Sequence, residues 1–80
     1  MYTSAVCPFC IRAEQLLRKK GVTEIDKVRV DIDPARRHEM MDKTGQRTVP
    51  QIYIGATYVG GCDELYELEH AGRLDALLAQ

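Results

Sequence analysis

The amino-acid sequence predicts an α/β fold: a three-layer sandwich with helices on both faces of a four-stranded mixed sheet, in the order β-α-β-α-β-β-α-α. Three observations carry this. Segments of helical periodicity alternate with short β-rich runs through the first half of the chain, the pattern of strand–crossover–strand units. Two later β-rich runs are separated only by Gly55-Ala56, so they pair back as an antiparallel hairpin and make the sheet mixed. Eighty residues suffice for one domain over residues 1–80 and leave no room for a second.

Each element has a local reason. Tyr2-Thr3 opens the chain as the first strand. After a short polar stretch comes Cys7-Pro8-Phe9-Cys10, and from Cys10 the pattern turns helical. Ile11, Ala13, Leu16 and Leu17 recur at helical spacing, with Arg12, Glu14, Gln15 and Arg18 to Lys20 on the polar side. Lys19 and Lys20 sit at the negative end of that helix, and Gly21 is its stop. Val28, Val30 and Ile32 alternate with Lys27, Arg29 and Asp31, which reads as a strand. Asp33 caps a second helix, Pro34 occupies its first turn, and it runs to about Thr44 before Gly45.

Thr48-Val49-Pro50 leads into a strand over Gln51 to Ile54, and Thr57 to Val59 forms its antiparallel partner. Gly60-Gly61 ends the hairpin. A third helix starts at Cys62 or Asp63, with Glu64 and Glu67 near its positive end and Leu65 and Leu68 facing inward. Gly72 breaks it, and Leu74, Leu77 and Leu78 form a last amphipathic turn or two. The first crossover should be right-handed and parallel. Met40 and Met41 read as core and helix filler, and His38 and His70 as solvent-facing.

Charge and cysteine content narrow the function. The net charge is −1, but ten of the eleven basic residues lie between Arg12 and Arg47, while the segment after Thr48 holds five acids and only Arg73. This gives two solvated faces of opposite sign, or a basic region that attracts a small anion. A pI near 6.1 and bases not clustered with aromatics argue against a nucleic-acid surface. No apolar run is long enough for a membrane span. No apolar segment precedes Cys7, so no signal peptide is expected and a reducing cytoplasm is the default compartment. Of three cysteines, two are only three positions apart, and so small a loop does not staple a fold. Redox chemistry or metal remains. Zinc wants a second Cys/His pair, and Cys62, His38 and His70 do not supply one, so no metal site is expected.

A cysteine pair at a strand–helix junction suits thiol–disulfide exchange. Cys7 would stand at or just before the first helical turn, where free N–H groups and the helix dipole stabilise a thiolate and lower its pKa. Cys10, one turn later, would lie deeper and keep its proton. Cys7 is then the nucleophile that attacks a disulfide, and Cys10 the resolving thiol. Pro8 fits the helix start, and Phe9 offers a flat apolar surface beside the sulfur.

Taken in order, Cys7-Pro8-Phe9-Cys10, Thr48-Val49-Pro50 and Gly60-Gly61-Cys62-Asp63 resemble the dithiol glutaredoxins, most of all the bacterial glutaredoxin 3 type. The likeness runs along nearly the whole chain, including Tyr2-Thr3, Gly21-Val22 and Asp63 to Tyr66. It implies a thioredoxin fold, a cytoplasmic monomer, no tightly bound cofactor, and glutathione as reductant and co-substrate. By the match, a cis peptide before Pro50 exposes Val49, whose N–H and C=O pair with the cysteinyl residue of glutathione; X-Pro is the only common cis bond. Gly61, Cys62 and Asp63 lie at a helix start whose N–H groups hold the γ-glutamyl carboxylate, while Asp63 accepts from its ammonium or serves as a plain N-cap. Arg37 matches the position that binds the glycine carboxylate, and Thr48 supplies a hydroxyl. Cys62 reads as a small hydrophobe, with a secondary oxidation site as the alternative.

Three features depart from the family pattern, the first being that only Met1 to Thr3 are left for a strand that relatives begin a few residues earlier, so it is either a stub or the start is not the native one. Phe9 stands where tyrosine is most common, which removes a hydroxyl, and Ser4 stands where many relatives carry a lysine, which weakens glutathione affinity or the shift at Cys7. The resemblance implies reduction of protein–glutathione mixed disulfides and protein disulfides, with an enzyme such as ribonucleotide reductase as one acceptor. Two other readings remain. One is an electron carrier served by thioredoxin reductase. The other is an iron–sulfur cluster module shared by two subunits through Cys7 and glutathione, which Pro8 disfavours by family comparison.

Overall fold

The computed structural model describes residues 1–79. Its elements follow the expected order: β1 (Tyr2–Thr3), α1 (Pro8–Lys19), β2 (Val28–Arg29), α2 (Pro34–Thr44), β3 (Ile52–Ile54), β4 (Thr57–Gly60), α3 (Cys62–His70) and α4 (Leu74–Leu78).

The helix ends are set by local chemistry. Gly21, with φ +93°, closes α1. Its N–H donates to Arg18 O and the N–H of Val22 to Leu17 O, both at 3.0 Å, the paired bonds that satisfy the last carbonyls of a helix. Asp33 caps α2 by accepting the N–H of Ala35 at 3.1 Å, and Gly45 ends it in the left-handed region at φ 70°. The buried stripe of α1 is Cys10, Ala13, Leu16 and Leu17. Ile11, expected on that stripe, is 51% exposed. The stripe starts from Cys10, and one residue further round the helix turns Ile11 about 100° away from it.

The sheet is built in two halves. β1 and β2 are parallel, with Tyr2 beside Val28 and Thr3 beside Arg29. β3 and β4 are antiparallel, with an irregularity between Ile52 and Tyr53. The halves join through a single antiparallel bridge, in which Tyr2 N donates to Gln51 O at 2.9 Å and Gln51 N to Tyr2 O at 3.2 Å. The four expected strands thus lie in the order β2-β1-β3-β4, but the middle ladder is one bridge long. Pro50 has no N–H to extend it, and β1 has only two residues. β2 also stops short of the expected Ile32. Val30 still donates its N–H to Thr3 O at 3.0 Å and is buried, but the chain then turns, and Ile32 is 71% exposed.

Side-chain alternation along β3 divides the core between the two faces. Ile52 and Ile54 pack with Ala13, Leu16 and Leu17 of α1, Cys62 and Leu65 of α3, and Leu74 of α4. Tyr53 packs on the other side with Tyr2, Val30 and Met40 of α2. Met40, Ile52, Leu65 and Leu74 are essentially inaccessible, each stabilising the fold by roughly 1.5–3 kcal/mol. Polar links tie the layers. The Tyr2 hydroxyl donates to Glu39 on α2 at 2.8 Å, and Lys20, just past α1, pairs with Glu69 of α3 at 2.7 Å and Asp75 of α4 at 3.1 Å.

Candidate active site

The N-terminus of α1 carries the cysteine pair. Cys7 is the N-cap, in extended conformation, and Pro8 opens the first turn. The Cys7 sulfur accepts the N–H of Cys10 at 3.1 Å, the bond a capping side chain makes to an orphan donor. Cys7 and Cys10 form a disulfide with Cα atoms 5.2 Å apart. The first turn of α1 holds no acid, and Arg18 and Lys19 occupy its last turn, so nothing on the helix opposes its positive N-terminal end. The loop ahead of Cys7 is anchored where Ala5 N donates to Asp31 at 3.2 Å. Arg29 grips that carboxylate through two 2.7 Å bonds and, more than the Ala5 N–H, holds it well below the usual carboxylate range.

Across from the pair, the Val49–Pro50 peptide is cis, as the family pattern implies, and Cys7 Sγ lies 3.8 Å from Val49 O. A cleft of about 410 Å³ opens beside this contact, within the size range of small-molecule sites. Phe9, Thr48, Val49 and Pro50 line one part of it, and Gly61, Cys62 and Asp63 another. Seven of the ten residues singled out in the sequence therefore converge. Cys7 meets the cleft through Val49, and Cys10 lies outside its walls, buried at 3% exposure. Arg37 stands outside the walls, exposed, with its guanidinium donating to Arg47 O at 3.1 Å.

The start of α3 is assembled differently from that of α1. Gly61 is the N-cap, and the Glu64 carboxylate turns back to accept its N–H at 3.1 Å. Asp63 is therefore not the cap; it is exposed in the first turn and faces the cleft. A side chain at Gly60, where φ is +116°, would come within 2.8 Å of Glu64 Oε1, so glycine is required for the capping carboxylate to fit. Cys62 points into the core. Burial pushes its thiol up; Arg12 opposes that, and the Asp63 and Glu64 carboxylates add to it.

Four residues that line the cleft escaped the sequence reading as site residues: Gln46, Gln51, Tyr58 and Glu64. A glutamate three residues after a helix cap is a readable capping signal. Gln51 offers a weaker one, a polar residue opening an otherwise apolar strand. Among the described residues no cluster of three or more His, Cys, Asp or Glu could hold a metal ion, and no helix is long and apolar enough to cross a membrane.

Known proteins share this architecture. The glutaredoxin family model matches residues 1–59. A glutaredoxin of Pseudomonas aeruginosa PAO1 is 56% identical over 79 residues, covering 99% of this chain and 93% of its own. Glutaredoxin 3 of Escherichia coli K12 is 47% identical over 78 residues, with 98% and 93% covered. The crystal structure of a buckwheat glutaredoxin–glutathione complex superposes with a TM-score of 0.89 at 30% identity, over 98% of this chain and 73% of that one. The fold is the thioredoxin fold, and the class is thiol–disulfide oxidoreductase. The chain belongs to the glutaredoxin family, and its relatives place it with the bacterial glutaredoxin 3 type.

Proposed function

We propose that this protein uses glutathione to reduce protein–glutathione mixed disulfides and protein disulfides. The observation that carries the reading is the cleft beside the Cys7–Cys10 pair, with the Thr48–Pro50 segment and its cis peptide on one part and the α3 N-terminus with Asp63 on another. That is the complement of a short peptide with a zwitterionic end. The Glu64 carboxylate occupies only the Gly61 N–H, which leaves the N–H groups of Cys62 and Asp63 for a carboxylate. The Asp63 carboxylate then accepts from the neighbouring ammonium. The glutathione bound in the buckwheat relative supports the same ligand.

In the reduced protein the Cys7 thiolate attacks the glutathionyl sulfur of a mixed disulfide. The target thiolate leaves and takes a proton from water, and glutathione stays joined to Cys7. A second glutathione thiolate attacks the joined glutathionyl sulfur, releasing glutathione disulfide and restoring Cys7. For an internal protein disulfide, Cys7 attacks one target sulfur. Cys10 then gives up its proton and attacks Cys7, freeing the target and leaving the Cys7–Cys10 bond seen here, which two glutathiones reopen. Val49 pairs its backbone with the cysteinyl residue against Pro50, Phe9 covers the sulfur, Thr48 offers its hydroxyl, and Arg37 exchanges its bond to Arg47 O for the glycine carboxylate. The reading describes one cytoplasmic domain acting as a monomer, with ribonucleotide reductase among the acceptors that form an internal disulfide.

The test is turnover of a mixed disulfide between glutathione and a small thiol, with glutathione and glutathione reductase as electron source in one arm and thioredoxin reductase in the other. Rapid turnover confined to the glutathione arm is expected. Turnover confined to the thioredoxin-reductase arm would keep Cys7 and discard the glutathione site.

A further inference from the structure

Among the polar cleft residues outside this scheme, Gln51 and Tyr58 are bonded to each other. Gln51 is 3% exposed, and its backbone is held on both sides by the bridge to Tyr2. Its side chain spans two groups: Nε2 donates to Thr48 O at 2.9 Å, and Oε1 accepts the hydroxyl of Tyr58 at 2.5 Å. The direction of this relay is determined. A carbonyl oxygen only accepts, so the amide NH₂ must face Thr48, its oxygen must face Tyr58, and the phenol must donate. Burial, with the Glu64 carboxylate second, pushes the Tyr58 phenol above its ordinary value, so it stays a donor wherever thiols exchange.

The relay ends on a peptide unit that matters. Thr48 C=O and Val49 N–H belong to one planar trans peptide and point in opposite directions. Holding the carbonyl from the buried side therefore turns the Val49 N–H away from Gln51. Among the described residues that N–H donates to no group of the chain. We infer that Gln51, steadied by Tyr58, is a positioning residue that aims the Val49 N–H at the backbone of a peptide-like substrate in the cleft. The inference rests on the glutathione reading above. Neither side chain is bonded to a cysteine sulfur, so both act on recognition of the substrate's backbone through Thr48.

A matched pair of disulfides tests this. The reduced full chain is mixed rapidly with the glutathione–mercaptoethanol mixed disulfide or with 2-hydroxyethyl disulfide. Both present a sulfur to Cys7, but only the first carries a peptide backbone. The readout is the ratio of the two rate constants, which a general loss of structure would not move selectively. Gln51→Met should narrow the wild-type preference roughly 10-fold and Tyr58→Phe about 3-fold, as expected for one or two modest hydrogen bonds. The double variant should lose no more than Gln51→Met alone, because Tyr58 acts through Gln51. An unchanged ratio in both single variants, or equal losses on both disulfides, overturns the inference while leaving the glutathione reading intact. A wild type with no preference overturns both. Tyr58 is 41% exposed, so its variant keeps the test decisive even if Gln51→Met fails to fold.

Discussion

Cys7 and Cys62 stand at the starts of two helices that border the same cleft, yet they are opposite in character. Exposure does not separate them: Cys7 is 8% accessible and Cys62 5%. What differs is the position in the helix and the charge around it. Cys7 is the cap itself, its sulfur accepts a backbone N–H, and the first turn of α1 is free of acids. Cys62 is one residue inside α3 and belongs to the core cluster with Leu65, Ile52 and Ala13, and the same turn carries Asp63 and Glu64. The dipole that favours a thiolate at one helix start is overruled at the other by burial and carboxylates. At α1 the sulfur meets a free N–H group with no acid in the first turn, and at α3 neither condition holds.

The strongest way to break this contrast is to remove each sulfur. Cys7→Ser should drop mixed-disulfide exchange to the uncatalysed background; measurable turnover would move the nucleophile to Cys10 or Cys62. Cys10→Ser should keep reduction of glutathione mixed disulfides but lose reduction of internal protein disulfides, assayed side by side. Loss of both would refute the division of labour. Alkylation then compares the two sulfurs directly. Reduced protein treated with iodoacetamide at neutral pH should label Cys7 about 100-fold faster than Cys62, read by peptide mass spectrometry. Comparable rates would mean that burial and the α3 carboxylates do not restrain Cys62.

Smaller effects sharpen the contrast. Asp63→Asn removes one acid from the α3 start and one proposed acceptor for an ammonium, so the KM for glutathione should rise roughly 3- to 10-fold. Arg37→Ala should raise it only about 2-fold, because the side chain is exposed. An Arg37 effect larger than that of Asp63 would reverse the assignment of the dominant end. The smallest effect is on stability at high pH. Cys62 keeps its proton in the fold above the ordinary thiol value of 9.0. Its contribution is therefore fully present below that pH and is lost as pH rises through the folded value, by at most about 1.4 kcal/mol per pH unit. Burial, and secondarily Glu39, pushes Tyr2 up to about 12, so Tyr2 adds to the decline only above pH 10. Urea unfolding of Cys62→Ala should lack the slope between pH 9 and 10 and keep only the decline due to Tyr2 above it.

The sequence by itself determined the features that need only a turn or two of chain. Asp33-Pro34 and Gly45 mark the ends of α2 because a cap bonds to groups two to four residues away. Gly55-Ala56 marks the hairpin because two residues suffice to reverse a strand, and Cys7-Pro8-Phe9-Cys10 announces the redox pair because both sulfurs lie within one helical turn. Tertiary structure decided what depends on distant partners. The exposure of Ile11 and Ile32 follows from where the α1 stripe and the end of β2 meet the core, which their own periodicity does not specify. The approach of Val49 to Cys7 spans 42 residues and depends on β1 and β3 being neighbours through one bridge. Gln51 and Tyr58 are seven residues apart and become a relay only because the β3–β4 hairpin folds one back over the other. Local signals encode the elements, whereas the order of strands in the sheet decides which loops face each other, and here those loops make the site.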